Sequence, residues 1–311
     1  MTTATAPAAP PAANSTAAAS AAPAAAPAPA VEAGPQTTLK TSARCSGIAL
    51  HTGVRAHLTL KPAPANHGIQ ITRVDLPDRP TVPALAAQVT DVRRATTLGA
   101  GRAAVHTVEH VLAALYAAGV DNALLEMDGP EPPVMDGSAA PFVELVAAAG
   151  SVGLDAPRRV YRVDRLFYHE DRDTRVLLLP GPEYRICCTV QFGGSLLDTQ
   201  YRSQAITAAS FAAELAPART FCLYHEIEPL MVAGLIRGGS LDNANIIKDG
   251  AIICKERLRF ADELVRHKML DVVGDLSLVG CRLIGQVIAI KPGHPANVAL
   301  ARQVAAHLAS R

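Results

Sequence analysis

The 311-residue chain predicts an α+β fold built from two similar units, each a small sheet covered by helices. Three observations carry that reading. Hydrophobic residues make up 49% of the sequence, enough to bury the core of one large or two medium domains. Short β-rich runs bounded by Gly, Pro or Asn open each half. Both halves then close in the same order of helix, strand and helix, with Asp155-Ala156-Pro157 between them. The two halves share no evident sequence identity, so the common order alone suggests a duplicated unit.

Residues 1–36 are mostly Ala, Pro, Thr and Ser, with Glu32 as the one charge. Such a segment cannot bury enough side-chain surface to offset its ordering entropy, so a disordered tail is expected. It lacks the Lys/Arg start of a signal peptide and the arginines of a transit peptide; a misassigned start codon would also account for it. Ordered sequence is expected from Thr37. Strands are predicted over Leu39–Leu50, Val54–Leu60 and Gly68–Asp75. A helix follows over Thr107–Ala118, where Thr107 can cap the start and Gly119 ends the 3.6-residue apolar spacing. Asn122–Met127 is a strand and Ser138–Ala149 a helix with Ser138 as N-cap. The pattern restarts with strands at Arg159–Tyr168, Thr174–Leu179 and Tyr184–Phe192. It ends with a long amphipathic helix at Glu263–Val279, a strand at Arg282–Lys291 and a helix at Pro295–Leu308. The expected domains are therefore 37–156 and 157–311.

Bulk chemistry narrows the function. The 29 basic and 28 acidic residues leave a net charge of +1, which offers no electrostatic footprint for nucleic acid. Trp is absent and aromatics are 4%, so base stacking is no theme either. No strongly apolar run of about 18 residues suggests a membrane span. None of the six cysteines falls in a C-x-x-C pair, which argues against a thiolate zinc site and suits free thiols in a reducing cytoplasm.

The chemistry is concentrated in a few places. His267 and Asp271 are four residues apart, one turn along one helix face that Asp275 continues. An imidazole and a carboxylate so placed can converge on one cation, and both suit zinc; alone, the pair is more often a surface contact. Glu109-His110 opens the first unit's helix. By the duplication, His110 and His267 sit on corresponding helices, so His110 can be a third ligand between the units. Glu109 can then take a proton from water at the fourth position. His294 is expected in a turn, within reach of a cleft. The Thr220 hydroxyl, in a loop, can stabilise an oxyanion.

Taken together, GIALHTG (47–53), LTLKPAPAN (58–66), TTLG (96–99), HTVEHVLAAL (106–115), MDGSAAPF (135–142), ARTF (218–221), GGSLDNA (238–244), LRFADELVRHKMLDVVGDL (258–276) and KPGH (291–294) closely resemble the UDP-3-O-acyl-N-acetylglucosamine deacetylases, the zinc amidases of lipid A biosynthesis. The resemblance implies two β/α sandwich domains of similar topology with the metal between them. It implies His110, His267 and Asp271 as zinc ligands and Glu109 as general base. His294 becomes an acid or electrostatic stabiliser, oriented by Asp275, and Thr220 the oxyanion partner. Lys268 flanks the metal. Phe221 and Lys291 match substrate-contacting positions, and Leu50, Ile227 and Ala244 fall where the family's acyl-chain passage is lined.

The implied substrate is a UDP-linked acylated amino sugar, deacetylated by a cytoplasmic monomer, with iron(II) admitted by the same ligands as zinc. The chain departs from the family in a short loop between Gly99 and His106, in the sequence His294-Pro295-Ala296-Asn297, and in stopping at Arg311. Two other readings are an amidase for a different acylated amino sugar and a metal-stabilised binding module. The second has no use for Glu109 and His294.

Overall fold

A computed structural model describes residues 34–192 and 199–311. The first 33 residues of the expected tail lie outside the described residues; Pro35 and Gln36, assigned to that tail, already belong to a strand, Pro35–Leu39, paired with Ser151–Pro157.

The first half forms a five-stranded sheet. Its strands are β1 (Ala43–Ile48), β2 (Arg55–Pro62), β3 (Ile69–Arg73), β4 (Thr81–Pro83) and, after helix α1 (Glu109–Ala117), β5 (Ala123–Met127). Helix α2 (Ala140–Ala149) follows. The strand order is β1-β2-β5-β3-β4, with β5 antiparallel to β2 and parallel to β3. Alternation decides the faces: along β2 the even-numbered Ala56, Leu58 and Leu60 are buried and their neighbours are not.

The second half repeats this plan. Strands β6 (Phe167–Asp171), β7 (Thr174–Leu179), β8 (Tyr184–Gln191) and β9 (Thr199–Ala205) come first. Between them and the long helix lies a small sheet of β10 (Phe221–Leu223), β11 (Asn245–Lys248) and β12 (Ala251–Ile253), with α3 (Tyr224–Val232) beside it. Then come α4 (Glu263–Ser277), β13 (Arg282–Ile290) and α5 (His294–Ala309). The large sheet runs β6-β7-β13-β8-β9, with β13 antiparallel to β7 and parallel to β8. These are the order and the directions of the first sheet. A short strand, Val160–Arg162, adds alongside β13.

Helix α4 differs from its expected form in an instructive way. An amphipathic helix usually turns its polar face to solvent. Instead every residue from Glu263 to Leu276 except Lys268 is buried, including His267, Asp271 and Asp275. Its polar stripe faces α1, which is itself buried along its whole length. Charged groups so placed need partners or a bound cation, because burying them alone is costly.

Gly274 permits the approach of the two helices. A Cβ there would lie 2.2 Å from the carbonyl oxygen of Glu109 and 3.0 Å from its Cα. Gly274→Ala therefore pushes α1 off α4. We expect a loss of about 1–3 kcal/mol of stability, read as a lower Tm, together with weaker metal binding in a titration.

Candidate metal centre and catalytic site

The paired helices bring His110, His267 and Asp271 together; their ligand atoms all lie within 4.8 Å of one another and all three residues are buried. Nε2 of His110 and Nε2 of His267 each lie 3.6 Å from Oδ1 of Asp271. Tetrahedral bonds of about 2.0–2.2 Å place neighbouring ligand atoms about 3.3–3.6 Å apart. The donor set is also in the right chemical state. Nδ1–H of His267 donates to the Ala218 carbonyl at 3.0 Å, which leaves the Nε2 lone pair facing the group. Burial lowers the His267 pKa to about 4 against the pull of Asp271, so the ring is neutral. Although burial opposes it, the Lys268 ammonium holds the Asp271 carboxyl well below its usual range. Oδ1 of this ionised carboxylate is buried without a hydrogen-bond partner. An ionised, orphaned oxygen 3.6 Å from Nε2 of each of two imidazoles fits a divalent cation.

Beside this group stand Glu109 and His294. Glu109 is buried at 3% exposure. Burial raises its pKa, partly offset by His294 and His110, as suits a general base. Nε2 of His294 is 3.8 Å from Oε1 of Glu109, and Nδ1 of His294 donates to Oδ2 of Asp275 at 2.9 Å. His294 does not lie in a turn: it is the first residue of α5, after the N-cap Gly293, because Pro295 favours the first turn of a helix. Burial works against its charge, but Asp275, then Glu109, raise its pKa to about 9.

That shift has a consequence for the metal-free protein. A histidine raised from 6.5 to about 9 stabilises the fold fully below the unfolded value, and the stabilisation is lost as pH rises through the folded one. Urea unfolding between about pH 6 and pH 10 should show stability falling across the upper part of that range, and His294→Gln should flatten the fall. An unchanged slope in the variant would contradict the assignment.

Two contacts fix the loop that carries Thr220. Its N–H donates to the Gly137 carbonyl at 2.8 Å. Gly137 has φ +81°, and a Cβ there would strike the Asn243 carbonyl oxygen at 1.7 Å, so only glycine fits the turn. Next to it, Arg219 is clamped by the buried carboxylate of Glu263 at 2.9 Å, tying the loop to the start of α4. Thr220, Phe221, Leu50, Ile227 and Ala244 line one cavity of about 420 Å³. The Phe221 ring packs edge-on to His267 at 6.0 Å.

Lys268 and Lys291 are both held in ion pairs. Lys268 donates to Oδ2 of Asp271 at 2.8 Å and so pairs with the metal group. Lys291 instead pairs with the exposed Asp173 at 2.6 Å and does not line that cavity. Neither expected hydroxyl cap forms in the expected place: the N-caps of α1 and α2 are Val108 and Ala139, without side-chain capping bonds.

Thr107 donates at 2.6 Å to Glu131, a residue the sequence reading passed over. Glu131 is fully buried, and it also accepts from the backbone N–H groups of His51 and Thr52 and from the Thr52 hydroxyl. It thereby ties the GIALHTG loop to the start of α1. A carboxylate between prolines, in Pro130-Glu131-Pro132, was the available signal. Arg94 and Glu226, joined at 2.7 Å, were also passed over.

A buried His₂Asp group, with a carboxyl and a carboxylate-backed histidine beside it, is the arrangement of metal-dependent hydrolases. Sequence comparison narrows that class. The family model described as UDP-3-O-acyl N-acetylglycosamine deacetylase matches residues 36–306. Proteins named UDP-3-O-acyl-N-acetylglucosamine deacetylase are similar over most of the chain. The one from Geobacter sp. (strain M21) is 47% identical over 84% of this chain and 86% of its own length. Those of Myxococcus xanthus (strain DK1622) and Chlamydia caviae are 44% and 43% identical, each over 86% of this chain and over 86% and 96% of their own lengths. The chain belongs to the UDP-3-O-acyl N-acetylglycosamine deacetylase family.

Proposed function

We propose that this enzyme removes the N-acetyl group from UDP-3-O-(3-hydroxyacyl)-N-acetylglucosamine, the committed step of lipid A biosynthesis, using Zn²⁺ held by His110, His267 and Asp271. The observation that carries the reading is the buried three-ligand group with Glu109 and His294 beside it. A divalent ion bound there supplies Lewis acidity and makes water acidic enough to ionise near neutral pH; iron(II) suits the same donors.

The residues divide the remaining work. Glu109 accepts the proton of the water that adds to the acetamide carbon. The Thr220 hydroxyl donates to the oxygen on which negative charge develops. His294, held by Asp275, carries positive charge against that oxyanion. As the carbon–nitrogen bond breaks, the departing amine takes a proton from His294 or from Glu109, leaving acetate and a free-amine sugar nucleotide. Lys268 keeps the Asp271 carboxylate ionised and oriented. The cavity lined by Leu50, Ile227, Ala244 and Phe221 offers the acyl chain an apolar wall. Lys291 would reach substrate only by leaving Asp173.

In this reading, 37–156 and 157–311 are two units of one topology, which agrees with the matching strand order of the two sheets. The enzyme works in the cytoplasm as a monomer, and no nucleic acid takes part. No helix among the described residues is long and apolar enough to cross a membrane. The test is acetate release from the UDP-sugar with and without its 3-O-acyl chain. The proposal expects efficient turnover of the acylated substrate and at least ten-fold lower kcat/KM without the chain, about 1.4 kcal/mol or more. Equal turnover of both, or none of either, would refute it.

A further inference from the structure

Thr96 is fully buried and touches both sides of the proton-transfer machinery. Its backbone N–H donates to Oε2 of Glu109 at 3.1 Å. Its hydroxyl lies 2.6 Å from Oδ1 of Asp275 and 3.4 Å from Nδ1 of His294. Its carbonyl accepts from the N–H of Val108, the residue before α1, at 3.5 Å. The direction of the hydroxyl bond is forced: a carboxylate can only accept, so the Thr96 O–H donates to Asp275.

The other oxygen of Asp275 is already shared. Oδ2 accepts from Nδ1 of His294 at 2.9 Å and from Nδ2 of Asn297 at 2.9 Å. Thr96 is therefore the partner that holds Oδ1, and it sets the plane of the carboxylate that aims the His294 ring. With Nδ1 anchored, Nε2 of His294 faces Glu109 at 3.8 Å.

We propose that Thr96 is a positioning residue that holds the Asp275–His294 pair in register with Glu109 through its side-chain hydroxyl. The inference rests on the hydrolase reading given above. It needs the hydroxyl specifically. Valine has the same shape, and it keeps the backbone contact to Glu109. Yet it leaves Oδ1 of Asp275 as a buried acceptor without a donor, so the carboxylate turns to find another and the ring follows.

The test compares Thr96→Val and Thr96→Ser with wild type, alone and in an Asp275→Asn background, with metal content measured throughout. Thr96→Val should lower kcat about 10- to 100-fold, with KM and metal stoichiometry nearly unchanged. Thr96→Ser, which keeps the hydroxyl, should restore kcat to within about three-fold of wild type. In Asp275→Asn, Thr96→Val should cost nothing further, because the residue it acts through is already disabled. The hydrogen-bonded Nδ1–H proton of His294, followed by NMR, should persist in wild type and Thr96→Ser and be lost or shifted in Thr96→Val. The role is overturned by undiminished kcat in Thr96→Val, by an equal loss in the Asp275→Asn background, by loss of metal, or by an unmoved proton signal. If Thr96→Val does not fold, a loss of more than ten-fold in Thr96→Ser overturns it as well. Absence of turnover by the wild type would refute the deacetylase reading instead, and the NMR arm would still decide the role of Thr96.

Discussion

Glu109→Gln lowers kcat by about 10²–10⁴-fold while the protein still binds one metal ion. Glutamine keeps the size of the side chain and an oxygen that can accept from the Thr96 N–H, which contacts Glu109 at 3.1 Å. The two imidazoles and the Asp271 carboxylate are untouched. What disappears is the capacity to take a proton, in a site where burial has raised the proton affinity of that carboxyl. Steady-state kinetics with elemental analysis of the same sample checks both halves of the prediction. Full activity would remove Glu109 from its role. Loss of metal would mean that it acts as a ligand.

His267→Ala has the opposite signature. It deletes one of three protein donors, leaves the oxygen of Asp271 facing an incomplete set, and abandons the Ala218 carbonyl that Nδ1–H satisfies at 3.0 Å. Metal affinity should fall by about 10³-fold or more, since three protein ligands and a water normally complete such a site. The stabilisation that saturating metal confers on wild type, about 4 kcal/mol at a thousand times Kd, should vanish from the variant's thermal unfolding curve. A variant that retained both metal and the Tm gain would place the ion elsewhere.

The helices were legible because periodicity is local. Four-residue spacing put His267 and Asp271 on one face, and the matching helix-strand-helix order of the halves put His110 opposite them. The same reasoning failed where the partner is distant in sequence. Thr107 has cap chemistry, but a fully buried carboxylate 24 residues away, Glu131, takes its hydroxyl. Lys291 looks like a cation next to the site, and Asp173 across the sheet edge claims it. His294, expected in the turn between the last strand and the last helix, is instead the first residue of that helix, one place earlier than the start at Pro295.

The stretch between β9 and α4 yielded motifs but no elements. Its strands are only three or four residues long and its helix contains Pro229, so neither periodicity could develop. Thr96 lay within a stretch already singled out, TTLG, yet its two carboxylate partners are 13 and 179 residues away. No spacing rule reaches that far.

The central claim is that one metal ion sits between the two helices on His110, His267 and Asp271. A crystal structure of the zinc-loaded protein, with anomalous scattering recorded at the zinc edge, tests it most directly. The account predicts a single buried peak within about 2.0–2.2 Å of Nε2 of His110, Nε2 of His267 and Oδ1 of Asp271, with Glu109 beside it and not bound to it. A peak ligated by other residues, or none in a protein that hydrolyses the substrate, would contradict it.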